Sequence, residues 1–303
     1  MSAPRGFTLV ELLVALTLTL AVGGIVHGQL LHGRRLARAQ AERIAMQENV
    51  RVAALVMRGE LAGLGYDEIG PEAAAVLAVP LERRSDLLAI APGAVTYLAE
   101  RGGGHVCAVL PGAPGEIRIP ASSWTGIRAP RPTDSLLVFV ETDTASGRDD
   151  AWVHFGIASV GSAACPTGEA GMAIRVVPPV PLGSDVLSAI TAGSPVRLAE
   201  VMQLRYYASS GQSWLGMRSV STGEAITPVA GPLADSTGSV RGLTLRYLDA
   251  AANSTTDPAA VRLIEIELLG VTDQPIYGRD LHRPLLDSLG LTVRVALRNA
   301  PRP

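Results

Sequence analysis

Glu11 is the residue whose type and placement point most directly to chemistry. Between Phe7 and Leu31 it is the only side chain certain to be charged in water, since His27 can be neutral, and the run around it is apolar. An ionised carboxylate inside a bilayer costs at least a few kcal/mol unless it finds a partner, so such a residue is a functional candidate by default. Chemistry offers one partner. A cut after Gly6 would give Phe7 a free amine four residues before Glu11. That amine can pair with Glu11 of the same chain or of a neighbour, and in the second case the buried charge drives assembly.

Other reactive residue types give weaker patterns. Two cysteines, Cys107 and Cys165, admit a single intrachain disulfide if that part of the chain lies outside the cytoplasm; the alternative is two buried free thiols. His105 stands near Cys107, but Cys165 has no ligand type at a zinc spacing, so no metal site is predicted. Gly211-Gln212-Ser213-Trp214-Leu215-Gly216 has one residue too many for a nucleophile elbow and reads as a hairpin turn. His27, His32, His105, His154 and His282 are scattered, with no pair at helical ligand spacing. Asp143, Asp149 and Asp150 flank Thr144–Arg148 without the alternating carboxylates of a calcium loop, and Arg148 opposes them. That stretch, and Asp249 to Asp257, read as solvated loops. Arg101-Gly102-Gly103-Gly104 lacks the Gly-Lys-Ser/Thr of a phosphate loop. No catalytic residue and no cofactor is predicted, and the chain is read as a non-enzyme.

The element that carries Glu11 must be a helix. Twenty-five residues from Phe7 to Leu31 rise about 37 Å, enough for a hydrocarbon core of about 30 Å. No small-x-small site followed by a polar start closes the run, which argues against a cleaved secretory signal. Residues 34–62 contain no Pro and one interior Gly, Gly59. Met46, Val50, Ala53, Met57, Leu61 and Leu64 recur at steps of three and four, one apolar face that needs a sheet to lie on. Arg38 and Glu42 fall on the opposite side, where they can pair weakly, and Gly63 and Gly65 supply the stop. Gly23, Gly24, Gly28 and Gly33 admit two readings: sites of bending when subunits pack, or residues tolerated because lipid enforces backbone hydrogen bonding.

Beyond Tyr66 the pattern becomes short strands and turns. Candidate strands are Leu87–Ala91, Val95–Ala99, Val106–Leu110, Ile117–Pro120, Ser135–Glu141, Trp152–Val160 and Ala173–Val177. A second series is Val196–Tyr207, Trp214–Val220, Val240–Asp249, Val261–Leu269 and Leu291–Arg298. In the last, the odd positions are all apolar, which marks a half-buried antiparallel strand. The 32 glycines and 21 prolines supply the turns. A net charge of −2 with pI about 6.2 leaves no basic footprint for nucleic acid, and no specific nucleic-acid partner is predicted. Arg carries all the positive charge; Lys is absent.

Gly6-Phe7-Thr8-Leu9-Val10-Glu11-Leu12-Leu13-Val14-Ala15-Leu16 resembles the prepilin cleavage and methylation motif of type IV pilins and type II secretion pseudopilins. The resemblance implies cleavage between Gly6 and Phe7 by a prepilin peptidase, N-methylation of Phe7, and contact of Glu11 with the Phe7 amine of an adjacent subunit. It implies partners of three kinds: other pilins or pseudopilins through the N-terminal helix, an inner-membrane assembly platform, and membrane lipid. It also places the chain in the bacterial inner membrane as a single-pass protein with an extracytoplasmic globular part, before entry into a pilus or pseudopilus. Arg34, Arg35 and Arg38 after the span, against Arg5 before it, would argue the opposite orientation; the motif is the more specific signal. Leu204-Arg205-Tyr206-Tyr207, Trp214-Leu215-Gly216-Met217-Arg218, Gly242-Leu243-Thr244-Leu245-Arg246-Tyr247 and Val295-Ala296-Leu297-Arg298-Asn299 look like the C-terminal half of PilW-like minor pilins and J-type pseudopilins.

The expected fold class is α+β: a long N-terminal helix packed on an antiparallel β-sheet, with an extra β-rich region. The expected organisation is a leader (1–6), a transmembrane and stem helix (7–65) and a β-rich globular domain (66–303). Within the last, 67–195 is read as an inserted lobe and 196–303 as the pilin-like sheet. The implied function is that of a minor pilin or pseudopilin that assembles into, or primes, its filament. The alternative is a pilus-displayed binding module for adhesion or DNA uptake. It calls for a clustered Arg or aromatic patch in 67–195, which the sequence does not show.

Overall fold

The computed structural model describes residues 8–69, 71–77, 82–112, 114–141, 150–177, 185–236, 241–277 and 283–297. Gly6 and Phe7, the acidic stretch 143–149 and His282 lie outside the described residues.

One helix, α1 (Leu9–Leu61), runs unbroken for 53 residues, about 80 Å of rise. Met46, Val50, Ala53, Met57 and Leu61 of the expected apolar stripe are buried, and Ala39 and Ala54 are buried beside them. Its stop differs from the expected one. Gly63 and Gly65 are not among the left-handed glycines, so no αL cap closes the helix. Instead Asp86 holds Gly65 from both sides: its carboxylate accepts from the Gly65 N–H at 2.8 Å, and its own N–H donates to the Gly65 carbonyl at 3.0 Å.

Next come β1 (Tyr66–Ile69), α2 (Pro71–Leu77) and β2 (Glu82–Ser85), where the sequence pattern suggested no helix. β1 and β2 pair as a two-stranded ribbon. The first part of the main sheet comprises β3 (Leu87–Ala91), β4 (Ala94–His105), β5 (Ala108–Leu110), β6 (Gly115–Pro120), β7 (Thr125–Gly126), β8 (Ser135–Val140), β9 (Ala151–Ala164) and β10 (Ala170–Val177). After the short α3 (Asp185–Ser188) come β11 (Pro195–Ser209), β12 (Gln212–Ser219), β13 (Thr227–Leu233), β14 (Leu243–Leu248), β15 (Leu263–Val271) and β16 (Ser288–Ala296). Together these fourteen strands form one sheet among the described residues, and every pairing in it is antiparallel. The α+β architecture read from the sequence is the one observed.

β11 is the hinge of the sheet. One edge pairs with β4; the other pairs first with β8 at Val196–Ala199 and then with β12 from Met202 onward. The β11–β12 turn, Ser210-Gly211, has positive φ at both residues (54° and 79°). This is the backbone of a tight two-residue hairpin, as its sequence suggested.

Two hydrophobic cores result. The first gathers the stem (Val50 to Leu64), Leu87, Val95, Tyr97, Ala99, Met202, Leu204 and the inward residues of β12 to β16. The second gathers α2, Val106, the inward residues of β6 and β8 to β10, Val196 and Leu198. The stem core therefore includes residues 87–99 as well as the C-terminal strands. The stem lies across β13, β15 and β16, and Gly270 marks the closest approach. A Cβ there would meet Val50 Cγ2 at 2.3 Å, so only glycine lets β15 pass beneath the helix at this depth.

Candidate functional site

The site begins at the first turn of α1. Thr8 is its N-cap, and with Glu11 it forms a capping box. The Glu11 N–H donates to Thr8 Oγ1 at 3.3 Å. Glu11 Oε2 accepts from the Thr8 N–H at 2.9 Å and from Thr8 Oγ1 at 3.0 Å. Both bonds use Oε2; Oε1 accepts nothing among the described residues. The sequence reading anticipated the carboxylate but not the cap, although Thr8-x-x-Glu11 spells one.

From Leu9 to Leu31 every residue is exposed. This is the one described helix long and apolar enough to cross a membrane. Its internal hydroxyls are satisfied within the helix: Thr17 Oγ1 donates to the Val14 carbonyl at 2.9 Å and Thr19 Oγ1 to the Ala15 carbonyl at 2.7 Å. That suits a medium without water. A Cβ at Gly23, Gly24, Gly28 or Gly33 would meet nothing within 4 Å, so no contact within the chain requires glycine there.

At the other end, the helix is fastened to the sheet by a polar cluster that the sequence reading missed. Glu60 accepts from the Tyr97 hydroxyl at 2.8 Å and from Arg101 Nη2 at 3.3 Å. Arg101 is the extra residue of a bulge in β4, opposite Leu198 and Ala199. Its Nε also donates to Glu200 at 3.1 Å. Glu200 accepts from Ser219 Oγ at 2.6 Å and from Arg128 Nη2 at 3.1 Å. Arg128 is bidentate on fully buried Asp134, at 2.6 and 2.7 Å. Glu200 sits in β11 between Leu198 of one core and Met202 of the other, so the charges occupy the seam between the cores. A small cleft of about 170 Å³ opens beside them, lined by Gly59, Glu60, Gly63, Arg101 and Arg197.

Burial alone would push the Glu200 carboxyl up. The bonds from Ser219, Arg128 and Arg101, and the charge of Arg128, outweigh it and hold the group below its ordinary value. For Tyr97, burial and the negative charge of Glu60 act together and drive the phenol far upward. It stays neutral and donates.

Cys107 and Cys165 are joined, with Cα atoms 5.8 Å apart. The bridge ties the chain just before β5 to the β9–β10 turn, where the Cys165 carbonyl accepts from Gly168 N–H at 2.9 Å. It closes a separation of 58 residues, which in the chain-entropy view is worth about 4 kcal/mol. A Cys107→Ser/Cys165→Ser variant is expected to lose roughly that much stability in chemical denaturation of the full chain. Reductant should reproduce the loss in the wild type and change nothing in the variant.

Of the other expectations, the strand written as Val106–Leu110 is shorter, because the Val106 N–H bonds the Ser194 carbonyl and the ladder starts at Ala108. Glu42 is not on a solvated face opposite the stripe. It is half-buried and accepts from the Gln274 N–H at 3.1 Å, because the β15–β16 connection folds back along the helix.

The family model of the prokaryotic N-terminal methylation motif matches residues 1–26. No curated protein and no solved structure matches the chain at a significant level.

Proposed function

We propose that this chain, whose first 26 residues carry the prepilin-type N-terminal methylation motif of the pilin and pseudopilin superfamily, is a minor subunit that assembles into, or primes, a type IV pilus or type II secretion pseudopilus. The observation that carries the reading is the motif at the head of a single 53-residue helix whose first half is apolar and exposed and whose second half is built into a sheet. Such a helix can leave a bilayer and enter a helical bundle without refolding, because lipid and neighbouring apolar helices satisfy the same surface.

In this reading a prepilin peptidase cuts between Gly6 and Phe7, and Phe7 becomes the methylated N-terminus. Glu11 then meets the Phe7 amine of an adjacent subunit through the oxygen that the Thr8 cap leaves unused. The glycines at 23, 24, 28 and 33 let neighbouring helices approach closely. The Glu60–Arg101–Glu200 cluster transmits load from helix to sheet. The globular part lies outside the cytoplasm, which suits the disulfide.

The test is intact mass and N-terminal sequencing of protein recovered from its native membrane. A chain beginning at N-methylated Phe7 supports the reading. A chain still beginning at Met1 or Ser2 in the presence of an active peptidase overturns it.

A further inference from the structure

β16 closes the sheet on one side, and among the described residues it pairs with β15 alone. That ladder runs for nine residues without a register shift. A bond beyond each end fixes its phase: the Leu297 N–H donates to the Arg262 carbonyl at 3.1 Å, and the Thr272 N–H donates to the Asp287 carbonyl at 3.0 Å. Backbone groups of successive residues turn to opposite sides of an antiparallel strand, so the odd-numbered residues of β16 use theirs on β15. The N–H and C=O groups of Gly290, Thr292, Arg294 and Ala296 point away from the sheet and bond nothing among the described residues.

The margins at β14, β5 and β7 are closed or short. On the outer side of β14 the Leu245 N–H donates to the Pro92 carbonyl at 2.7 Å, and the Tyr247 carbonyl accepts from the Thr255 N–H at 2.9 Å. β5 and β7 have three and two residues. Long edges are usually guarded by proline, a bulge or an outward charge. β16 has no proline and no bulge. Arg294 is its one charged residue, and that guanidinium turns back onto Glu265 of β15 at 2.7 Å. The strand is also short of cover on its stem side. Leu289, Leu291 and Val293 are half-buried, whereas Leu268 and Ile266, opposite Leu291 and Val293, are 2% and 0% exposed.

We infer that β16 is a docking edge that takes an extended strand from a different subunit of the same filament. The inference rests on the filament reading above. In strand addition the backbone bonds supply affinity and alternate side chains supply selectivity. The incoming strand therefore carries apolar residues at alternate positions, to lie beside Leu289, Leu291 and Val293, with polar residues between them. A second copy of this chain does not fit the place. Joined edge to edge in the antiparallel sense of this sheet, two copies of β16 are related by a two-fold axis perpendicular to the sheet. The stem lies over the sheet across β13, β15 and β16, so that axis reverses it and points the two apolar spans in opposite directions. Subunits rooted in one membrane share one direction.

The first test is hydrogen exchange, resolved to single residues, on the full chain in detergent micelles. The amides of Gly290, Thr292 and Arg294 should exchange roughly a hundredfold faster than those of Leu289, Leu291 and Val293. Equal protection of both sets would mean that the chain covers its own edge, and would overturn the inference. The second test is recovery in sheared filaments. Thr292→Pro deletes one outward N–H and leaves the bonds to β15 in place, since an edge strand accepts proline where its N–H faces outward. Thr292→Ala keeps that N–H. Thr292→Pro should be recovered at least about tenfold less than wild type, and Thr292→Ala at the wild-type level. If Thr292→Pro is recovered like wild type, docking at β16 is overturned and the filament reading stands. If wild type itself is absent from filaments, both fall. Thr292→Cys identifies the partner, because Cys107 and Cys165 are joined and the new thiol is the only free one. Labelled with a benzophenone and irradiated in filaments, it should cross-link to a different subunit. A link to a copy of this chain, or none, overturns the inference, and this result decides if Thr292→Pro proves unstable.

Discussion

Glu11→Gln is expected to lower incorporation of the protein into sheared filaments or pseudopili by at least about tenfold, equivalent to about 1.4 kcal/mol, while membrane insertion is unchanged. The substitution is chosen because the carboxylate has two separable roles. Its Oε2 accepts from Thr8 N–H and Oγ1, and a glutamine carbonyl oxygen can accept the same two bonds. What glutamine lacks is the charge that would meet a protonated Phe7 amine. Thr8→Ala makes the opposite change: it removes the cap, at a cost of about 1 kcal/mol at the helix end, and leaves the charge. Incorporation that drops for Glu11→Gln and holds for Thr8→Ala places the role in the charge. Wild-type incorporation of Glu11→Gln would remove the amine pair from the assembly mechanism.

The second large effect is on stability. Arg101→Met is expected to cost about 3–5 kcal/mol in denaturation of the full chain in detergent. Arg101 is shared by Glu60 and Glu200 and is only 11% exposed in its side chain, so its loss takes the cation from Glu60, leaving it the Tyr97 hydroxyl, and leaves Glu200 to Arg128 and Ser219. Glu200→Gln in the same chain should recover part of the loss, because it removes a buried carboxylate that has lost one of its two cations and leaves Arg128 on Asp134. The cluster also predicts an acid dependence. Glu200 is held below its ordinary value of 4.5, so its contribution is complete above that pH and is lost as pH falls through the lower folded value. A Glu200→Gln chain should show a shallower loss of stability below pH 4.5. A cost under about 1 kcal/mol for Arg101→Met would mean that the cluster behaves as a solvated surface pair.

Much of the molecule was legible in sequence because its signals are local. The span and the stem differ only in which faces of one helix are apolar, and steps of three and four from Met46 to Leu61 show this without any partner. The strands with clean alternation, such as Leu243–Leu248 and Leu291 to Ala296, were readable for the same reason. β13 was not: Thr227–Leu233 contains Pro228 and Pro232, and proline argues against a strand unless an edge or a bulge accommodates it. In the structure its ladder with β12 shifts register twice. The two cysteines allowed one bridge, but only the register of β9 on β10 and the path before β5 bring them together.

The polar seam had no sequence signal. Glu60, Arg101, Arg128, Asp134 and Glu200 are ordinary charges in the chain, separated by up to 140 positions, and each alone reads as a solvated residue. A bulge in β4 turns Arg101 toward Glu200, and the end of the helix brings Glu60 above both. The contact of Tyr277 with Arg35 is similar, since it joins residues 242 positions apart. What the sequence determined alone was the long apolar helix, its lone carboxylate and the N-terminal methylation motif, all set by neighbours within a few turns. What only the tertiary structure decided was how that helix is fastened to its sheet and which connection folds back along it, because those contacts join residues that nothing local brings together.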